Sequence, residues 1–305
     1  MIKKKERHMI TVSIVTATYN RGHFLPLLYD SIRNQDIITA FEWLIIDDGS
    51  TDDTLSVVEK IKKQNNGLFP IRYYHKSNGG KHTAINLGIK EALGELFFIV
   101  DSDDILTANA IETILNDWER VRNKGLCGIG YLRGYSEEDI IGASYSKDGF
   151  IGNFIDERFN KDISGDKAEV WVTQYLREYG GFPVFDGERF ISESVLWIKI
   201  SRSHDMLFRN KIIYITEYLE GGLSQVGRTL RFKCPQGMAY GSLETMSKEF
   251  SLKIRIKEAL LYIVYSKFGG IGLKNILKCP YPLLVLFVYL PGLLLFHYWK
   301  RKYKM

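Results

Sequence analysis

The stretch Leu96-Phe97-Phe98-Ile99-Val100 is an unbroken run of apolar strand formers that ends abruptly in Asp101-Ser102-Asp103-Asp104. A strand apolar at every position is buried on both faces, as in a parallel sheet covered by helices. Acids at its carboxyl end are held stiffly enough to grip a hard divalent cation and the phosphates it carries. Aspartate is also a common helix cap and turn former, so an ordinary loop would use the same residues. An EF-hand fits only at its ends, with Asp101 at position 1 and Glu112 at position 12. Leu106 stands where that loop needs glycine, Ile105 where it needs an oxygen, and a strand leads in. Gly128-Ile129-Gly130 continues to Arg133 where a dinucleotide fingerprint needs a third small residue, and no phosphate loop ending in Gly-Lys-Ser/Thr occurs.

From Thr11 to Tyr131 short apolar runs alternate with amphipathic segments, the pattern of βαβ units. Strands are predicted at Val12 to Thr16, Leu44 to Ile46, Ile71 to Tyr74 and Leu96 to Val100. Helical spacing follows at Leu55, Val58 and Ile61, at Ile85, Ile89 and Ala92, and at Ile111, Ile114, Leu115, Trp118 and Val121. Beyond residue 125 the pattern is mixed, with strand-like Gly130 to Arg133 and Ile212 to Thr216 and helix-like Lys167 to Tyr179 and Glu193 to Ser203. The expected fold class is α/β, a mostly parallel central sheet with helices on both faces.

The chain has 305 residues, 45% hydrophobic and 25% charged, enough for one large domain or two small ones. Cys127, Cys234 and Cys279 are odd in number and widely spaced, which supports neither a disulfide framework nor a zinc site. The net charge of +5 is unevenly spread. No acid follows Glu258, whereas Lys267, Lys274, Lys278, Lys300, Arg301, Lys302 and Lys304 do, so the tail carries +7 and the remainder −2. Tyr281 to Trp299 is uncharged and mostly apolar, with aromatics at both ends and cations outside them, the pattern of a membrane element. Pro282 opens this run and Pro291-Gly292 interrupts it, so a bent or interfacial insertion is expected rather than a straight span. The alternative is a C-terminal helix packed on the rest of the protein. Lys3, Lys4, Lys5 and Arg7 precede no long apolar stretch of the signal-peptide kind. The catalytic part is therefore expected at the cytoplasmic face of a membrane, held by its C-terminal tail.

Three predicted strands end in polar clusters, and in an open parallel sheet ligands bind at those carboxyl ends. The clusters are Ala17-Thr18-Tyr19-Asn20-Arg21-Gly22, Asp47-Asp48-Gly49-Ser50-Thr51-Asp52 and Asp101-Ser102-Asp103-Asp104. A nucleotide suits these parts. Tyr19 can stack on a base, an Asp can accept from a base N–H or ribose hydroxyl, and an Asp-held Mg²⁺ or Mn²⁺ can neutralise a diphosphate. Each cluster alone would also serve as a turn, a cap or a half-buried aromatic.

Thr16-Ala17-Thr18-Tyr19-Asn20, Asp47-Asp48-Gly49-Ser50-Thr51-Asp52, Asn78-Gly79-Gly80 through Asn86, and Asp101-Ser102-Asp103-Asp104 together resemble the nucleotide-sugar-binding half of the family 2 glycosyltransferases, in the same order. The likeness covers about residues 10 to 220. It implies an A-type glycosyltransferase fold and inverting transfer from a nucleotide-activated sugar, here a UDP-sugar. It places Asp48 at the uracil with Tyr19 beside it and gives ribose and metal to Asp101 and Asp103, with Asp103 the metal ligand. Ala17, Arg21, Lys81 and Ser102 join the expected nucleotide contacts, and Asp104 the expected metal contacts, for Mg²⁺ or Mn²⁺.

Inversion in one step needs a base on the acceptor hydroxyl. Family members carry a Glu-Asp pair before an aromatic-rich helix, and Ile191-Ser192-Glu193-Ser194-Val195-Leu196-Trp197 resembles that element. Ser192 replaces the usual Glu and Glu193 the usual Asp, so Glu193 inherits the base role. The plainer alternative makes Glu193 a first-turn acid and Ser192 a cap. Lys81 and His82 could approach the diphosphate, Glu220-Gly221-Gly222-Leu223-Ser224 suits a lid, and Arg228 and Arg231 could close on the diphosphate. His204 has no partner by spacing.

The implied organisation is a basic extension (1–10), a nucleotide-sugar-binding half (11–104), an acceptor-binding half (105–224), a basic helical region (225–280) and an apolar, membrane-associating tail (281–305). The expected partners are a nucleotide-sugar donor, a glycan or lipid-linked acceptor of the capsule, exopolysaccharide or lipopolysaccharide type, and a membrane, but no nucleic acid. A sugar-phosphate nucleotidyltransferase is the competing enzyme, although Tyr19 to Phe24 lacks its glycine-rich triphosphate loop. A membrane-bound adaptor with a degenerate nucleotide pocket is the non-catalytic alternative.

Overall fold

A computed structural model describes residues 10–216 and 229–304. The chain divides into two compact units. The first comprises residues 1–152, 163–181 and 204–217, and the second residues 153–162, 182–203 and 218–305.

The first unit is built on a nine-stranded sheet in the order β3-β2-β1-β4-β8-β6-β9-β5, with β7 also paired to β9. Its strands are β1 Val12–Thr18, β2 Phe41–Asp47, β3 Ile71–His75, β4 Leu96–Ile99, β5 Ile105–Leu106, β6 Gly128–Gly134, β7 Phe150–Gly152, β8 Lys167–Val172 and β9 Met206–Ile215. β3, β2, β1 and β4 run parallel, as the apolar runs predict. Beyond them the sheet is mixed, which corrects the expectation of a mostly parallel one. β8 lies antiparallel between β4 and β6, β6 pairs parallel with β9, and β5 and β7 lie antiparallel to β9. β8 also overturns the helix expected from Lys167. Buried between two strands, it alternates polar and apolar only over Lys167 to Val170 before Trp171 and Val172, too short a run to distinguish it from a buried helix. The helical part of that segment starts only at Thr173.

Helices cover both faces. Leu25, Leu28 and Ile32 of α1 (Leu25–Arg33), Val58 and Ile61 of α2 (Thr54–Asn65), and Ile111, Ile114 and Trp118 of α4 (Ala110–Val121) share one core with Ile14, Trp43 and Phe98 of the sheet. On the other face lies α3 (Lys81–Glu91). There a β-carbon on Gly88 would stand 2.7 Å from Val15 Cγ1, so the glycine permits close helix–sheet approach. A short α5 (Thr173–Glu178) follows β8.

The second unit is helical, with α6 (Ser194–Ser201), α7 (Pro235–Thr245), α8 (Leu252–Phe268), α9 (Leu273–Ile276), α10 (Pro282–Phe287) and α11 (Tyr289–Lys302). Phe232, Val264, Tyr265, Phe296 and Trp299 form one of its cores, and Met246, Ile263, Ile276 and Val285 another. No helix among the described residues is long and apolar enough to cross a membrane. The apolar tail breaks at Val288, three residues before Pro291. The proline thereby falls in the first turn of α11, where its missing N–H costs no hydrogen bond.

Candidate active site

The loops after β1 and β2 form one hydrogen-bonded piece. Asn20 adopts a left-handed φ of 52°, and its carboxamide oxygen accepts from the Thr51 N–H at 2.8 Å. The Asn20 N–H donates to Ser50 Oγ at 2.9 Å, and the Gly22 N–H to Asp52 at 3.3 Å. A β-carbon at Gly22 would lie 2.7 Å from Thr54 Cα, so only glycine allows the loops this close. Tyr19 stands 45% exposed at the edge of this piece, available to stack on a planar ligand. Ala17, half-buried, pairs with Ile46 beneath it.

The two acids ending β2 are both buried and both engaged. Asp47 accepts from the Ser50 N–H and from Tyr73 Oη, each at 2.7 Å. Asp48 accepts from Lys76 Nζ at 2.6 Å, from the Gly79 N–H at 3.0 Å and from the Gly80 N–H at 2.7 Å. The expected uracil reader thus ties down the Asn78-Gly79-Gly80 turn, and Lys76, which sequence reasoning overlooked, neutralises it. The turn delivers Lys81 and His82 at the start of α3. His82 is 5% exposed and its Nδ1 meets no partner among the described residues. Burial depresses its basicity; Asp48 opposes that effect and Lys76 adds to it.

The acids after β4 meet three cations. Arg21 donates to Asp103 Oδ2 at 2.6 Å, which joins the β1 loop to the β4 loop. Lys81 Nζ lies 2.6 Å from Asp101 Oδ1. The Arg133 guanidinium lies 3.7 Å from both Asp101 and Asp104 and 4.0 Å from the centre of the Tyr214 ring. Tyr214 Oη donates to Asp104 at 2.7 Å and accepts from the Asp101 N–H at 2.8 Å. Burial alone would raise the Asp101 carboxyl, but Lys81 and Arg133 outweigh it and hold the group low. For Asp104 burial prevails, reinforced by the neighbouring Asp101 charge, and the carboxyl is pushed up. Ser102, between them, is buried.

These placements revise the metal expectation. Among the described residues no group of three or more His, Cys, Asp and Glu side chains converges to hold an ion. Asp104, expected as a ligand, is 5% exposed and committed to Tyr214 and Arg133. Asp103 retains the right chemistry. It is a hard oxygen donor, its side chain is 16% exposed, and only its Oδ2 is engaged by Arg21. One carboxylate together with substrate phosphates is a sufficient set for Mg²⁺ or Mn²⁺.

In the second unit Glu193 is half-buried at the N-cap position of α6, and its carbonyl accepts from the Leu196 and Trp197 N–H groups. The Ser192 hydroxyl bonds that of Ser194 at 2.7 Å. His204 stacks at 4.1 Å on Tyr175 in the first unit, which accounts for it structurally. Arg231 is exposed. The expected lid Glu220 to Ser224 and Arg228 lie outside the described residues. Arg133 and Tyr214 were missed because single polar residues within strands have no periodic signature, whereas Lys76 follows β3 and could have been found by the strand-end rule used for the others.

The profile of the family described as Glycosyl transferase family 2 matches residues 13–168, from β1 to the start of β8, which hold Tyr19, Arg21, Asp48, Lys81, Asp101, Asp103 and Arg133 but not Tyr214. Glycosyltransferase GlyG of Streptococcus pneumoniae serotype 4 is 27% identical over 259 residues, 79% of each chain. The GalNAc(5)-diNAcBac-PP-undecaprenol beta-1,3-glucosyltransferase of Campylobacter jejuni is 28% identical over 190 residues, 55% of this chain and 60% of that relative. Among solved structures, S. aureus TarS 1-349 in complex with UDP-GlcNAc superposes with a TM-score of 0.63 at 18% identity, over 88% of this chain and 75% of that one. The fold is therefore of the A-type glycosyltransferase kind, and the chain belongs to glycosyl transferase family 2.

Proposed function

We propose that the protein transfers a sugar from a UDP-sugar to a hydroxyl of a glycan or lipid-linked acceptor, with inversion at the anomeric carbon. The observation that carries this reading is the joining of three strand ends by hydrogen bonds and ion pairs: Asn20 after β1 to Thr51 after β2, Arg21 after β1 to Asp103 after β4, and Lys81, on the turn held by Asp48, to Asp101. UDP as carrier is supported by the fold shared with the TarS–UDP-GlcNAc complex, and the acceptor class by the lipid-linked substrate in the Campylobacter relative's name.

In this reading Tyr19 stacks on the uracil, Asp101 accepts from the ribose, and Lys81 and Arg21 turn toward the diphosphate as its charge grows on departure. Glu193 takes the proton of the acceptor hydroxyl. The acceptor oxygen bonds to the anomeric carbon, the bond from that carbon to the diphosphate oxygen breaks, and UDP leaves with the electron pair. Asp103 would hold Mg²⁺ or Mn²⁺ when one is bound, and that ion would supply further neutralisation of the leaving group.

Release of UDP is to be measured over a panel of nucleotide sugars and acceptors, with and without chelator. Glu193→Gln is expected to lower kcat by about 10²–10⁴-fold with donor KM little changed. Asp103→Asn is expected to weaken donor binding and to abolish any gain from Mn²⁺. Full turnover in both variants would refute the assignment, and turnover with nucleoside triphosphate and sugar phosphate instead would favour a nucleotidyltransferase.

A further inference from the structure

The C-terminal helices α10 and α11 have two apolar faces, and the described residues cover one of them. Val285, Val288, Gly292, Phe296 and Trp299 are buried, spaced three or four residues apart along a single face. That face packs on α8. A β-carbon at Gly292 would stand 2.9 Å from Ile263 Cδ1, so helix and helix are in close contact. The opposite face carries Leu283, Leu286, Phe287, Leu290, Leu294 and Tyr298, which are 81%, 55%, 77%, 72%, 71% and 57% exposed. Leu283, Phe287, Leu290, Leu294 and Tyr298 too recur every three or four residues, with Leu286 beside them. A solvent-facing helix surface ordinarily carries charge, and a contiguous apolar stripe of this kind marks a binding surface.

The stripe runs into the exposed bases Lys300, Arg301, Lys302 and Lys304. Lys302 reaches back over the Tyr298 ring at 5.7 Å, so cation and apolar stripe adjoin. No acid follows Glu258 to offset these charges. A second copy of the chain would therefore bring bases, but no acids from this segment, to the same surface. Anionic lipid headgroups answer both features at once, with phosphates for the bases and acyl chains for the leucines.

We propose that the outer face of α10 and α11 lies flat in the interface of an anionic lipid bilayer. Leu283, Phe287, Leu290 and Leu294 enter the acyl boundary, and the terminal bases sit at the phosphate level. The helices lie in the plane because the inner face is committed to α8 at both ends, from Val285 to Trp299, and because neither helix is long enough to span. This surface stands apart from the donor-site reading and does not rest on it.

The test is co-sedimentation of the full chain with vesicles of phosphatidylcholine alone or mixed with phosphatidylglycerol. Wild type is expected to bind the anionic vesicles at least about tenfold more tightly. Leu290→Glu/Leu294→Glu and Lys300→Glu/Arg301→Glu/Lys302→Glu should each lower that binding at least about tenfold, with unchanged circular dichroism and monomeric elution. Depth is read by lipid-borne quenchers on dyes at Leu283→Cys, Leu290→Cys and Leu294→Cys in a Cys279→Ser background, and equal shallow depths are expected. Undiminished binding of the variants, indifference to anionic lipid, a graded depth from Leu283 to Leu294, or a wild-type dimer that the variants dissociate would each overturn the proposal.

Discussion

His82 follows Lys81 at the start of α3, and the two residues have opposite fates. Lys81 extends to Asp101, while His82 is buried near Asp48 and Lys76, its Nδ1 without a partner among the described residues. Because the fold lowers its basicity, the unfolded chain binds a proton from about pH 6.5 downward while the folded chain resists it. Stability linked to His82 is thus present above that pH and is lost as the solution is acidified. The thermal midpoint of wild type should fall between about pH 7.5 and 5.5, and His82→Gln should reduce that fall. Parallel curves for the two proteins would refute the linkage. At this scale the sequence indicates which residues are chemical but not what they touch. Asp48, Asp101 and Asp103 were identifiable from their positions at strand ends. Their partners were not, since Arg21 lies 82 residues from Asp103, and Tyr214 lies 110 from Asp104. Carboxylate orientation is decided by neighbouring strands, and a local pattern holds no record of them.

Elements were legible where burial was one-sided or where a parallel strand stood between clear helices. β1 through β4 appear close to their expected places, each a residue or more different at its ends. β8 and α1 escaped notice for different reasons. β8 alternates polar and apolar residues only from Lys167 to Val170 before Trp171 and Val172 break the pattern, and α1 directly follows the β1 loop without a capping side chain to announce it. The tail illustrates a third case. Pro291-Gly292 reads as an interruption, yet the structure uses the pair for separate purposes, the proline within a first turn and the glycine against Ile263. Gly292→Ala gains helix propensity of about 1 kcal/mol but forces a methyl against a fully buried isoleucine, with β-carbon contacts of 2.9 and 3.0 Å. Overpacking of that kind costs about 1–3 kcal/mol, so the variant should be less stable in urea than wild type by up to about 2 kcal/mol. A more stable variant would mean that α11 slides on α8 at no cost.

For the whole molecule, the strand ends that carry the proposed donor site lie in the first unit, while the exposed apolar stripe and its bases belong to the second. Each unit closes its own apolar interior: Ile14, Trp43, Phe98 and Ile114 in the first, and in the second one cluster with Val264, Phe296 and Trp299 and another with Met246, Ile263 and Val285. The second unit takes three separate stretches of chain, 153–162, 182–203 and the C-terminal residues, and such threading has no compositional boundary to mark it. This is why the sequence reads as continuous to about residue 220. A chain of two units has two objects for a ligand to stabilise. In the proposed reading, UDP bound at Tyr19, Arg21 and Asp101 would favour the folded first unit by RT ln(1 + [UDP]/Kd), about 2.7 kcal/mol at a hundredfold excess over Kd. Calorimetry should therefore resolve two thermal transitions, with UDP raising the one that belongs to the first unit by several degrees and leaving the other in place. Asp101→Asn should abolish the shift without removing either transition. A single transition that UDP moves as a whole would show instead that the two units melt cooperatively, and that the proposed donor site draws its stability from the entire chain.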